Sequence, residues 1–148
     1  MQESIPITGN VKWVLKRKGK VIKSGQGNNI VVDTGKNHAA TLWTTDPGPT
    51  RQSHAALGTG DASVTNADIV LDSEIAATRL AHASAITSNN EVIYTFNFTA
   101  TDTWLVKEFG LFNDATAGTM FARFLTQVFT MISGDTLDVT WTIRFGTL

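Results

Sequence analysis

The chain has 148 residues, of which 42% are hydrophobic, and a formal net charge of −1. This length suits one domain with a sizeable core, and this hydrophobic content argues against a disordered chain. The absence of cysteine excludes disulfides, thiolate nucleophiles and cysteine metal sites. The sequence contains no apolar run near the ~18 residues that span a membrane, and its first residues show no secretion signal. We therefore expect a protein that folds in a cytoplasm, without a membrane partner.

Basic residues are concentrated near the start of the chain. Up to residue 36 there are seven Lys and Arg against two Asp and Glu, a balance of +5, and the remainder has five against eleven, a balance of −6. This asymmetry favours an electrostatically oriented partner or self-association between the two poles. The alternative is a solvated edge hairpin whose lysines block pairing with other sheets. We expect no nucleic-acid partner, because the basic residues are not interleaved with aromatic ones.

The first third of the chain predicts an arm, a hairpin and a short helix. Residues 1–10, which include Pro6 and Gly9, are expected to form a flexible N-terminal arm, and residues 11–148 a single β-sandwich domain. A basic hairpin is predicted at 11–23, with its turn at Gly19. A flexible loop is expected at 25–29, a third short strand at 30–32, and a helix over 36–43 capped by Asp33 or Thr34. The residues predicted to dock a partner are Lys16, Arg17, Lys18, Lys20 and Lys23.

The rest of the chain predicts mainly strands. A short strand follows His54, and residues 61–79 are expected to form a loop with a possible helical turn at 69–75. Further strands are predicted at 80–86, 91–99, 104–112, 119–129 and 137–145. The last of these alternates strictly, with Trp141 at the centre of its apolar face. The sequence therefore predicts an all-β fold, an antiparallel β-sandwich or barrel-like domain with one or two short helices.

Residues able to carry chemistry are few. The glycine-rich segments 25–27 and 58–61 lack the remaining residues of a phosphate-binding loop, and the three histidines are far apart in the sequence. Glu108 interrupts an apolar strand, where a carboxylate is costly unless it is paired. We expect a structural ion pair with Arg123, or with Arg79, rather than a general base, because no second catalytic group is evident. The sequence predicts no enzyme, no cofactor and no metal site.

An ordered set of segments resembles a known group of proteins. These segments are Asn29-Ile-Val-Val-Asp-Thr-Gly35, Ala55-Ala-Leu-Gly-Thr-Gly-Asp61, Leu71-Asp-Ser-Glu-Ile-Ala-Ala-Thr-Arg79, Lys107-Glu-Phe-Gly-Leu-Phe-Asn113, Gly118-Thr-Met-Phe-Ala-Arg123 and Asp135-Thr-Leu-Asp-Val-Thr-Trp-Thr-Ile-Arg-Phe145. The chain resembles small virion structural proteins of tailed bacteriophages, the tail-fibre-like and capsid-decoration group. The resemblance covers about residues 29–145 and implies a β-rich virion component that acts as an oligomer.

The resemblance implies a structural role in the phage particle, which is assembled in the bacterial cytoplasm. We expect a capsid decoration (cement) protein on the head exterior that stabilises capsomers, because the short end after residue 145 leaves no room for a fibre shaft. The alternatives are a tail-fibre, collar or baseplate protein, and a carbohydrate-binding module with Trp13, Trp43 and Trp104 as a sugar platform. The expected partners are the major capsid protein or other virion proteins, and the protein itself as a homo-oligomer, with a trimer favoured.

Overall fold

The structure is a computed structural model that describes residues 5–45, 48 and 50–147. Its elements, in chain order, are β1 (Ile7–Arg17), β2 (Lys20–Val31), α1 (Asp33–Thr44), β3 (His54–Gly58), β4 (Leu80–Ala81), β5 (Ser84–Ser88), β6 (Glu91–Thr99), β7 (Trp104–Phe112), β8 (Met120–Met131) and β9 (Thr136–Phe145).

The nine strands form one antiparallel sheet in the order β4-β3-β7-β8-β2-β1-β9-β6-β5. The sheet curls into a half-barrel, and β2 joins its two halves. Most of β2 pairs with β1, whereas only Ile30 and Val31 pair with β8. The prediction of an all-β, barrel-like fold is confirmed, with one helix in the described ranges.

The core lies between the two halves of the curled sheet. Leu137, Val139, Trp141 and Ile143 of β9 are at most 2% exposed, as the alternation of that strand predicts. In β1, Trp13 points into the same core. Its ring stacks on Phe129 of β8 with 4.3 Å between ring centroids. This contact packs the two halves together, because β1 and β8 lie on opposite sides of β2.

The expected flexible arm is wrong for residues 7–10. These residues belong to β1, where Ile7 pairs with Phe145 and Gly9 pairs with Asn29. Gly9 is needed because the Asn29 side chain lies over it and leaves no room for a Cβ atom. Residues 1–4 of the predicted arm lie outside the described residues.

The flexible loop expected at 25–29 is also wrong, since these residues continue β2. A Cβ atom on Gly25 would lie 2.6 Å from the Trp13 ring, and one on Gly27 would lie 2.7 Å from the Phe124 ring. The two glycines therefore make room for aromatic rings of the core. They do not form a turn.

Three features in the middle of the chain differ from the prediction. Helix α1 begins at Asp33, follows Val32 and has no side-chain cap, and the Thr34 hydroxyl donates to the Met120 carbonyl instead. No helical turn forms at 69–75, where the Ile75 amide donates to the Leu57 carbonyl. The strand predicted at 80–86 divides into the short edge strands β4 and β5.

Replacing Trp141 by alanine is expected to lower the free energy of unfolding by about 3–5 kcal/mol, as for other buried aromatic residues. Trp141 is fully buried, and its indole N–H donates to Asn29 Oδ1 at 2.9 Å. Trp43 is 89% exposed and provides the control, for which we expect Trp43→Ala to change stability by no more than about 0.5 kcal/mol. Urea denaturation of both variants measures the difference. Equal midpoints would contradict the burial of Trp141.

Candidate functional site

A buried carboxylate, Glu108, stands at the centre of the largest ionic cluster in the described residues. It is 0% exposed and lies on β7. Arg123 of β8 donates from Nε to Glu108 Oε2 at 2.8 Å, so the ion pair expected between these residues is present. The backbone amides of Gly60, Asp72 and Ser73 also donate to the carboxylate, at 3.1, 3.1 and 2.8 Å. Glu108 therefore ties the segment from 60 to 73 to the sheet.

Arg123 extends this cluster to a second carboxylate. Its Nη1 donates to Asp68 Oδ2 at 2.9 Å, and its side chain is 2% exposed. Burial by itself would raise the pKa of Asp68, but hydrogen bonds from Thr65 and Arg123 outweigh burial and hold that pKa below its usual value. The pKa of Arg123 is raised because the two carboxylates outweigh the effect of its burial.

Arg79 is not a partner of Glu108, and this alternative is wrong. Arg79 pairs with Glu74, with 2.8 Å between Nε and Oε1, and also donates to the carbonyls of Asp114 and Ala117. Its guanidinium lies 3.5 Å from the centroid of the Phe112 ring. Arg79 thus joins the loop after β7 to the segment before β4.

The cluster has the properties of a structural site. Four donors converge on Glu108, so both of its carboxylate oxygens are engaged by the protein. No group of three or more His, Cys, Asp or Glu residues within the described ranges is placed to hold a metal ion. The arrangement can anchor backbone segments to the sheet.

The five residues predicted to dock a partner differ in their surroundings. Lys16 forms an ion pair with Asp138 at 3.0 Å, Arg17 binds both oxygens of Asp135, and Lys23 donates to the Val128 carbonyl at 2.9 Å. Lys18 and Lys20 make no ion pair with any residue that the structure describes. Together with Gly19 they form the exposed hairpin tip (residues 18–20), in which Lys18 and Gly19 have positive φ.

Arg17 and Asp135 fasten the base of this hairpin. Asp135 is 1% exposed, and Arg17 donates from Nε and Nη2 at 2.9 and 2.8 Å. The hydrogen bond from Arg17 is the main reason why the pKa of Asp135 lies below its usual value. The pKa of Asp138 is also lowered, by the Asn97 amide and then by Lys16.

An exposed apolar surface beside the hairpin was not predicted from the sequence. Ile22, Leu105 and Val128, which we call the gap patch, are 44–49% exposed and line one cavity of about 500 Å³. They come from β2, β7 and β8, which meet only in the folded sheet. The only local signal is the apolar pair Val21-Ile22 among lysines, and its position does not reveal the other two residues.

The tryptophan platform expected for a carbohydrate-binding module does not form. Trp13 is 1% exposed and belongs to the core, whereas Trp43 is 89% exposed on α1. A polar hollow of about 480 Å³ lies where β1, β2, β9 and α1 meet. Four asparagines, Asn10, Asn28, Asn29 and Asn66, line it, and its lining contains no aromatic side chain on which a sugar ring could stack.

Comparisons with protein-family models, curated protein sequences and solved structures give no match. No relative therefore supplies an activity or a residue role for this chain. Within the described ranges, no helix has the length and apolar character needed to cross a membrane.

Replacing Arg123 by methionine is expected to lower the free energy of unfolding by about 3–5 kcal/mol, because Glu108 is left charged and buried without its cation. The double variant Glu108→Gln/Arg123→Met should lose less than the sum of the single variants. Lys107→Met is the control, since Lys107 pairs with the exposed Asp61 and its loss should cost less than about 1 kcal/mol. Additive losses in denaturant would show that Glu108 and Arg123 do not interact.

The ion pair between Arg17 and Asp135 predicts a stability that depends on pH. Because the pKa of Asp135 is lower in the folded state, its contribution is fully present above the unfolded value of about 3.9 and is lost as pH falls through the folded value. Asp135→Asn should be less stable than the wild type at pH 7, and the difference in melting temperature should shrink below about pH 4. Arg17→Met should behave in the same way. A constant difference down to about pH 2 would contradict this account.

Proposed function

We propose that the chain is a structural component of a tailed-bacteriophage virion, and that it acts as a capsid decoration protein that docks on capsomers through the hairpin tip. The observation that carries this proposal is the pair Lys18 and Lys20. These two cations are exposed at the end of a long hairpin and have no ion-pair partner among the described residues. The resemblance to small phage virion proteins points to the same class of function.

The hairpin holds these cations in a fixed position. Strand β1 pairs with β9 from Ile7 to Lys16 and pairs with β2 on its other side. Lys16 and Arg17, just before the tip, are engaged by Asp138 and Asp135. A rigid docking element loses little conformational entropy on binding, which favours association.

The buried polar groups support a binding role over a catalytic one. Glu108 and Arg123 hold the segment from 60 to 73 on the sheet, and both carboxylate oxygens of Glu108 accept hydrogen bonds from the protein. A decoration protein acts through many weak contacts, since copies bound to neighbouring capsomers add their contributions through avidity. A small cationic tip on each copy fits this mode of action.

A tail-fibre, collar or baseplate protein is the second candidate. It uses the same features and differs in its place on the particle. Because Lys18 and Lys20 have no ion-pair partner among the described residues, they favour binding to an acidic protein surface, whether on the head or on the tail. The proposed partner is the major capsid protein or another virion protein. Purified heads and purified tails, offered separately, distinguish the two locations.

The charge-reversed variant Lys18→Glu/Lys20→Glu tests the docking role of the tip. We expect it to fold normally and to bind particles that lack this protein about tenfold more weakly than the wild type at 0.1 M salt, which corresponds to roughly 1.4 kcal/mol for the two sites. The two affinities should converge at 1 M salt, where the Debye length is about 3 Å.

The control is Lys12→Glu/Lys36→Glu, which changes the net charge by the same amount away from the tip and should bind as the wild type does. Binding to heads places the protein on the capsid, and binding to tails alone favours the second candidate. The proposal fails if the wild type binds neither, or if reversal of the tip charges leaves binding unchanged at every salt concentration.

A further inference from the structure

The gap patch arises because β2 and β8 separate. Their ladder contains Ile30 with Arg123 and Val31 with Ala122, and no further backbone pair between the two strands is present in the described residues. Towards the hairpin tip the strands enclose the cavity of about 500 Å³, which the core residues Leu15 and Phe129 also line. The Lys23 side chain crosses the opening and donates to the Val128 carbonyl. The opening thus exposes apolar surface beside an unpaired strand edge.

A second exposed apolar surface has the opposite charge. The segment Ala67-Asp-Ile-Val-Leu-Asp-Ser-Glu74, which we call the acidic loop, contains three acids and no base. Ile69 and Val70 at its centre are each 61% exposed. Asp72 makes no ion pair with a described residue. Lys23, which lines the cavity of the gap patch, makes none with a described residue either and donates to the Val128 carbonyl.

The acidic loop is held in place although it lacks regular secondary structure. Arg123 binds Asp68 on one side of Ile69 and Val70, and Glu108 accepts from the amides of Asp72 and Ser73 on the other. The two apolar side chains are therefore presented by a fixed backbone. A fixed loop with exposed branched residues has the character of a protein contact surface.

We propose that the acidic loop of one copy docks on the gap patch of a second copy. Ile69 and Val70 then cover Ile22, Leu105 and Val128, and Asp72 approaches Lys23. The charges of the two surfaces are complementary, and each surface lacks an apolar cover from its own chain within the described ranges. Two uncovered apolar surfaces of opposite charge on one chain fit each other better than either fits a copy of itself.

Such a contact joins two different surfaces. It is therefore heterologous, and repeated copies close into a ring where the rotation between them allows. The contact does not depend on the proposed virion role, because it forms between copies of this chain in solution. The hairpin tip remains free in this arrangement, since its exposed residues 18–20 belong to neither surface.

Two single variants and their mixture test the proposal by sedimentation. Val70→Lys places a cation in the acidic loop, and Val128→Asp places an acid in the gap patch. We expect the wild type to sediment with at least twice the monomer mass of 16.0 kDa, and each variant to associate at least tenfold more weakly. An equimolar mixture should form a 1:1 complex, because each variant keeps the surface that the other has lost.

Ile86→Asp is the matched control. Ile86 is 58% exposed on the edge strand β5, and its substitution should leave the mass unchanged. Circular dichroism confirms that all three variants fold. A wild type that stays monomeric at about millimolar concentration, where contacts weaker than roughly 4 kcal/mol remain invisible, would overturn the proposal. So would variants that associate like the wild type, or a mixture that stays monomeric.

Disulfide trapping provides a second readout, because the chain has no cysteine of its own. Mild oxidation should link Val70→Cys to Val128→Cys in a mixture faster than it links either variant to itself, since a disulfide requires Cα atoms within about 7 Å. Val70→Cys mixed with Ile86→Cys gives the background rate from random collisions. Equal rates in all pairs would contradict a contact between the acidic loop and the gap patch.

Discussion

The ion pair between Glu108 and Arg123 is the interaction on which the outer face of the sheet depends. Two charged side chains that are at most 2% exposed are costly to bury, and each is stabilised only by the partners that converge on it. Those partners are the backbone from 60 to 73 and the carboxylate of Asp68. Satisfying the pair therefore folds the segment over β7, where its Leu71 joins Phe112 in one buried cluster. The buried charges of Glu108 and Arg123 thus hold the segment from 60 to 73 in place on the surface of the sheet.

The core imposes a different constraint on the join between the two halves of the sheet. Phe124 reaches from β8 over Gly27 of β2, and Trp13 covers Gly25 before it stacks on Phe129. Aromatic packing thus holds β8 against β2 where their ladder has ended. Packing between side chains does not require backbone hydrogen bonds between the two strands, so β2 and β8 can separate without loss of the core. Ile22 and Val128 are exposed because aromatic packing, and not a ladder of backbone hydrogen bonds, holds β2 and β8 together in this region.

The parts of the fold that were predictable depend on local pattern. The alternation of β9 and the bounds of β6 and β7 were readable, because side chains alternate between the faces of a strand. The pairing of Glu108 with Arg123 was also predictable, since a carboxylate on an apolar strand requires a cation. Contacts set by distant neighbours were not. Gly25 and Gly27 look like loop residues in the sequence, but they lie in a strand because aromatic rings from β1 and β8 leave no room for a Cβ atom there. The hydrogen bond between Arg17 and Asp135 joins residues that are 118 positions apart in the sequence.

The buried charges that hold the fold and the exposed charges on its surface respond differently to salt. The pair of Glu108 and Arg123 is shielded from solvent, and mobile ions screen such buried pairs far less than exposed ones. The cations of the hairpin tip and Asp72 of the acidic loop are exposed to water, where the attraction of such charges to a partner is screened within about 8 Å at physiological salt. The acidic loop therefore keeps its shape under conditions that weaken its attraction to another protein. A loop with a salt-resistant anchor and a salt-sensitive surface can change its contacts without unfolding.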